Sequence, residues 1–87
     1  MNIFNSILGP PDINKLKNTK DIRGLIKALK YNEKNVRMDA IYALSDFNDG
    51  AVIDAFIYTL SDEDIDIRTS IIEALGKIKG YYDYGLF

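Results

Sequence analysis

The chain has 87 residues, of which 47% are hydrophobic and 28% charged, which bounds it to one soluble globular unit whose core is marginal standing alone. It contains no Cys and no His, so disulfides, thiolate metal sites, imidazole ligands and the commonest general base are all excluded. The net charge of −2 divides unevenly: residues 1–40 hold eight Lys/Arg against four Asp/Glu, and residues 41–87 hold three against nine, a split that either steers unlike ends of two molecules together or serves as solvated surface.

Taken in chain order, Ile3, Phe4, Ile7 and Leu8 have helical spacing, and Gly9-Pro10-Pro11 must break any helix there. The segment 2–8 is too short for a secretory signal and lacks its basic leader, and no apolar run reaches the roughly 20 residues of a membrane span. The expected compartment is the cytoplasm. Pro11 is placed to start a short second helix carrying Ile13 and Leu16.

A helix is then predicted over 19–30, with Asn18 as its cap and Asp21 in the first turn, where it meets the positive end of the helix dipole. Its core side is Ile22, Leu25, Ile26 and Leu29, and the opposite side carries a basic stripe of Lys20, Arg23, Lys27 and Lys30. After a polar turn a second helix is predicted over 34–47, burying Val36, Ala40, Ala43, Leu44 and Phe47 at the spacing of one face. Glu33 is a weak cap for it, with Asn32 as the substitute.

The pattern then returns after 31 residues: residues 22–49 lie over 53–80 without a gap, and Ile22, Ile26, Leu29, Arg37, Ile41, Ala43 and Leu44 recur as Ile53, Ile57, Leu60, Arg68, Ile72, Ala74 and Leu75. A period of this length marks stacked units that cannot bury their apolar faces alone. Each unit reads as two antiparallel helices, A and B. In the second unit helix A is predicted over 50–60 behind Asp49, and helix B over 65–79 capped by Asp62 or Asp64, with Gly80 as its terminator. In the remaining tail Tyr84 takes the register of Ile53 and Phe87 that of Phe56. The predicted fold is therefore an all-α, short α-solenoid: a cap over 1–17, repeats over 18–48 and 49–79, and a partial third repeat over 80–87.

The stretches LIKALKYNEKNVRMDAIYALSDF at 25–47 and FIYTLSDEDIDIRTSIIEALGKI at 56–78 resemble the HEAT-like repeats of the phycobilisome-lyase type. That resemblance implies a right-handed α-solenoid and a protein-binding scaffold, in some relatives a subunit of a chromophore lyase. It also implies an inter-repeat structural role for Arg37 and Arg68, which would tie neighbouring repeats through the acidic turn containing Asp64; an arginine fork suits such a pairing.

Helical spacing turns Met38, Ile41 and Tyr42 away from the strip of Val36, Ala40 and Phe47, and Thr69, Ile72 and Glu73 follow them in the second repeat. These six are the expected partner-binding residues; the alternative is that Ile41 and Ile72 pack between repeats. The tail aromatics Tyr81, Tyr82, Tyr84 and Phe87 are expected to serve self-association, with a dimer favoured. The basic stripe offers a nucleic-acid reading, against which stand its four charges, the acidic pI of about 4.9 and the lack of interleaved aromatics. Asp62, Glu63, Asp64 and Asp66 lack the glycine and distant glutamate of a calcium loop, and helix capping accounts for them. No nucleophile stands with a base, and no phosphate or dinucleotide loop occurs. The expectation is a non-catalytic protein-interaction module without cofactor or metal; the alternatives are an accessory subunit of an enzyme such as a lyase, a nucleic-acid-binding module, or a remnant of a longer solenoid.

Overall fold

The computed structural model describes residues 9–61 and 64–78. The expectations for the N-terminal segment 2–8, for Asp62, Gly80 and for the tail residues Tyr81, Tyr82, Tyr84 and Phe87 lie outside them. Five helices make up the regular structure of the described residues: α1 (Ile13–Asn18), α2 (Ile22–Ala28), α3 (Lys34–Leu44), α4 (Gly50–Thr59) and α5 (Ile65–Lys77). Helices α2 and α3 form the first hairpin, and α4 and α5 the second. α1 packs on both α2 and α3, while α3 meets α5 and α2 meets α4 across the repeat boundary.

The helix starts follow from short acidic side chains that accept from free backbone N–H groups. Asp12 accepts from the Lys15 amide at 3.0 Å, Asp21 from Gly24 at 2.9 Å, Asp49 from Ala51 at 2.7 Å and Asp64 from Asp66 at 2.8 Å. The expected cap at Asn18 is corrected: Asn18 is the last residue of α1, and Asp21 caps α2. The reason is the way α1 stops. Lys20 takes a left-handed conformation with φ 57°, and the Asp21 amide reaches back to the Leu16 carbonyl at 2.8 Å, a helix-ending arrangement that consumes residues 19 and 20. α1 approaches Gly24 closely: a Cβ there would stand 2.8 Å from Leu16 Cδ2 and 2.9 Å from the capping carboxylate of Asp21, so one of these side chains would have to shift.

Asn32 does not replace Glu33. Glu33 occupies the N-cap of α3 with φ −92° and ψ 126° and makes no side-chain capping bond, whereas Asp64 at the matching place has φ −80° and ψ 119° and caps two amides. The two backbones are alike, so a shorter carboxylate fits. Glu33→Asp is expected to stabilise the protein by roughly 0.5–1 kcal/mol, seen as a higher urea midpoint with an unchanged slope; an unchanged midpoint would show that the turn holds the side chain away from the amides.

The helices also end earlier than predicted. α2 closes at Ala28, after which Leu29, Lys30 and Tyr31 donate to carbonyls three residues back, tightening the last turn. That turn buries Tyr31 beside Leu29, a core position the apolar spacing did not mark. The core itself runs as one cluster from Leu25 and Leu29 through Ala40, Ile41 and Leu44 to Val52, Phe56, Ile67, Ile71 and Leu75. Ile22, Ile26, Val36 and Phe47, expected inside, are half-buried at its edge.

Candidate interaction surface

The B helices α3 and α5 lie side by side, and the contacts between them fix which stripe of each faces the other. Lys34 Nζ donates to Asp66 at 2.6 Å and pairs with Asp64 at 3.2 Å; Ser70 Oγ approaches Met38 Sδ at 3.5 Å; and Lys77 Nζ reaches Ser45 Oγ at 3.5 Å and Asp46 at 2.7 Å. Partners stand 30 to 32 positions apart along the chain, so each residue of α3 touches its own counterpart's surroundings in the next repeat. The stripe Lys34, Met38, Ile41 and Ser45 is therefore the forward face of the first repeat, and the second repeat covers it.

This corrects part of the expected partner site. Ile41 is 0% exposed and belongs to the core, and Met38 is half-buried against it. Both point along the solenoid axis rather than out of it, as the alternative reading of Ile41 had it. Ile72, the counterpart of Ile41, remains 54% exposed; Thr69 and Glu73 are exposed with it. Tyr42 is 57% exposed and lies on the outward stripe of α3 between Asp39 and Asp46. The six residues thus divide into buried Ile41 with half-buried Met38, an outward Tyr42, and an open group on α5.

Ion pairs between repeats were missed from the sequence. Asp46 takes Lys17 of α1 at 2.6 Å and Lys77 of α5 at 2.7 Å, so one carboxylate joins the cap to both repeats. Hydrogen bonds from these two ammonium groups hold its carboxyl down to about 2. Partial burial pushes Asp64 the other way, but the Lys34 ammonium and the amides of Asp66 and Ile67 prevail and leave it lowered; Lys34 is raised by its bonds to Asp66 and Asp64. The available signal was opposite charge near the repeat period, Lys34 with Asp66 and Asp46 with Lys77. Within its own hairpin Arg37 donates Nη1 to the Tyr31 carbonyl at 2.9 Å.

The lowered Asp46 gives a signed pH dependence. Its contribution is present above the unfolded value near 3.8 and is lost as pH falls through about 2. Because the pairs are solvent-exposed, Asp46→Asn is expected to cost only about 0.2–1 kcal/mol at neutral pH. The difference between variant and parent should narrow below about pH 4 and vanish only below pH 2 in urea titrations, once Asp46 is protonated in the folded state as well; a gap that persists at about pH 1 would assign the loss to packing instead.

A groove of about 620 Å³ runs between α1 and α3, lined in part by Pro10, Pro11, Asp12, Val36, Asp39 and Tyr42. Lys20, Arg23, Lys27 and Lys30 are exposed, with Lys30 Nζ placed 5.4 Å from the centre of the Tyr58 ring. Among the described residues no helix is long and apolar enough to cross a membrane.

Paired antiparallel helices stacked at a fixed period, with B helices in parallel contact and one continuous core, define a short helical solenoid. The chain matches the family of HEAT repeats over residues 22–83; it belongs to that family. No curated protein matches it.

Proposed function

We propose that the chain is a non-catalytic protein-interaction module that displays the outward stripes of its B helices to a partner. HEAT repeats commonly serve as interaction scaffolds, and the observation that carries the reading here is Tyr42. An exposed aromatic residue flanked by Asp39 and Asp46 supplies an anchor with a polar rim. Lys34 and Lys77 bind α5 to α3, so the stripe is held in one shape and a partner docks with little ordering cost. With Asp66 and Glu73 also exposed on α5, the surface favours a basic partner carrying an apolar anchor.

The finer assignment to the phycobilisome-lyase type rests on the recurring Val36-Arg37 and Ile67-Arg68 pairs before an Ile-x-Ala-Leu run. A subunit of an enzyme whose chemistry lies on another chain would use the same surface. The cytoplasm remains the proposed compartment. Nucleic-acid binding is less favoured, since Lys30 of the basic stripe is engaged over Tyr58.

Photo-crosslinking residues placed singly at Asp39, Tyr42 and Lys27, in the cells that make the protein, test the proposal. Discrete products from positions 39 and 42 and none from 27 are expected. Products from position 27 alone, or equally from both faces, would overturn it.

A further inference from the structure

The forward face of the first repeat is covered by the second, and the described residues leave the same face of the second repeat open. On α5 the positions matching Lys34, Met38, Ile41 and Ser45 are Ile65, Thr69, Ile72 and Gly76, all exposed. Ile65 is 67% exposed and Ile72 54%, and Ile57 of α4, the counterpart of half-buried Ile26, is 49% exposed beside them. Three isoleucines left in water on one side of two adjacent helices form a coherent apolar patch of the kind that marks a contact surface.

We propose that this forward face of α4 and α5 binds the same face of a second copy, with the two α5 helices antiparallel about a two-fold axis. The interface within the chain shows what a further HEAT repeat would need. There, Lys34 supplies the ammonium that takes the acidic caps Asp64 and Asp66 of the next repeat. Ile65 stands in its place on α5, so the face has lost the charge that receives another acidic turn and has gained an apolar side chain. Among the described residues the opposite end of the solenoid is also a poor match, because Asn14, Lys15, Lys17 and Asn18 of α1 are exposed, and head-to-tail stacking on them would set isoleucine against lysine.

A copy of the same face fits better. Ile65, Thr69, Ile72 and Gly76 follow the spacing of four, three and four that makes one helical seam. In an antiparallel pair centred between Thr69 and Ile72, Ile72 of each copy meets Thr69 of the other, and Ile65 meets Gly76. Each large side chain thus lies over a small one, which lets the backbones approach, and the two Ile57 side chains extend the apolar area at the edge. An isologous contact of this kind closes at two copies. Tyr42 points elsewhere, so this surface is additional to the one proposed for a partner.

The full chain is tested by sedimentation equilibrium from micromolar to millimolar concentration. A closed monomer–dimer equilibrium is expected, with Ile72→Glu weakening it by about tenfold or more while its helical circular dichroism and melting are retained, since Ile72 is outside the core. The register is read by cysteines, of which the chain has none of its own. Ile65→Cys combined with Gly76→Cys should oxidise to a covalent dimer. Neither single variant should, because eleven helical positions separate like residues by about 16 Å, beyond the roughly 7 Å reach of a disulfide. A monomer at every concentration, mass that grows past the dimer, a dimer indifferent to Ile72→Glu, or single cysteines that crosslink as well as the pair would each overturn the proposal.

Discussion

Truncating Ile41 to Ala is expected to cost about 2–5 kcal/mol, while truncating Ile72, the same position one repeat later, should change monomer stability by no more than about 0.5 kcal/mol. The two residues share a helix position, a residue type and the Ala-Leu pair that follows each of them, Ala43-Leu44 and Ala74-Leu75. They differ in what stands in front of them. Ile41 is fully buried because α5 lies against the forward stripe of α3, held there by Lys34 on Asp66 and by Lys77 on Asp46. Removing its side chain leaves a cavity at the repeat boundary that two tied helices relax into poorly. Ile72 has no such cover from the described helices and loses little by becoming shorter. Urea denaturation at low micromolar concentration, where self-association is weak, measures both. Equal losses for the two variants would mean that the forward face of α5 is covered as closely as that of α3, and would remove the basis of the two-copy contact as well.

The contrast also shows what was legible in the chain. Apolar residues at three- and four-residue spacing, repeating after 31 positions, carried the all-helical architecture, the hairpins and the caps at Asp49 and Asp64, since these depend on neighbours close in sequence. The start of α2 did not follow, because Asn18 and Asp21 are both good caps. The choice between them was made by how α1 ends, through the left-handed Lys20 and the bond from Asp21 to the Leu16 carbonyl.

The interaction surface was only half legible for a related reason. Helical spacing groups Met38, Ile41 and Tyr42 on one side of α3, but a side that turns away from its own hairpin faces either solvent or the next repeat. Periodicity within one helix does not separate these. A rotation of about 100° divides Ile41 from Tyr42, and it is enough to send one into the core and leave the other exposed. The long-range signs that decide the matter, Lys34 with Asp66 and Asp46 with Lys77, become readable only when charges are compared across the repeat rather than along the helix.

Phe56→Ala is expected to cost about 3–5 kcal/mol. Phe56 is the largest of the fully buried side chains and has no exposed surface, and its counterpart in the first repeat is Leu25, so the second repeat places a ring where the first has a branched aliphatic chain. A chain of 87 residues has a total stability of roughly 4–13 kcal/mol at the usual 0.05–0.15 kcal/mol per residue, and a two-hairpin solenoid sits toward the low end because so much of its surface stays in water. The truncated protein should therefore be largely unfolded or on the edge of it at 25 °C. Phe56→Leu separates the cavity from the ring: it restores the residue type of the first repeat and most of the volume, and should cost no more than about 1.5 kcal/mol. Loss of both hairpins in one transition is also expected, because Ile41 buries itself against the second repeat and neither hairpin is covered alone. If Phe56→Ala instead melted α4 and α5 while α1 to α3 kept their helical signal and amide protection, the first repeat and its cap would be a folding unit in their own right, and the coupling assigned to Ile41, Lys34 and Asp46 would have to be far weaker than their contacts imply.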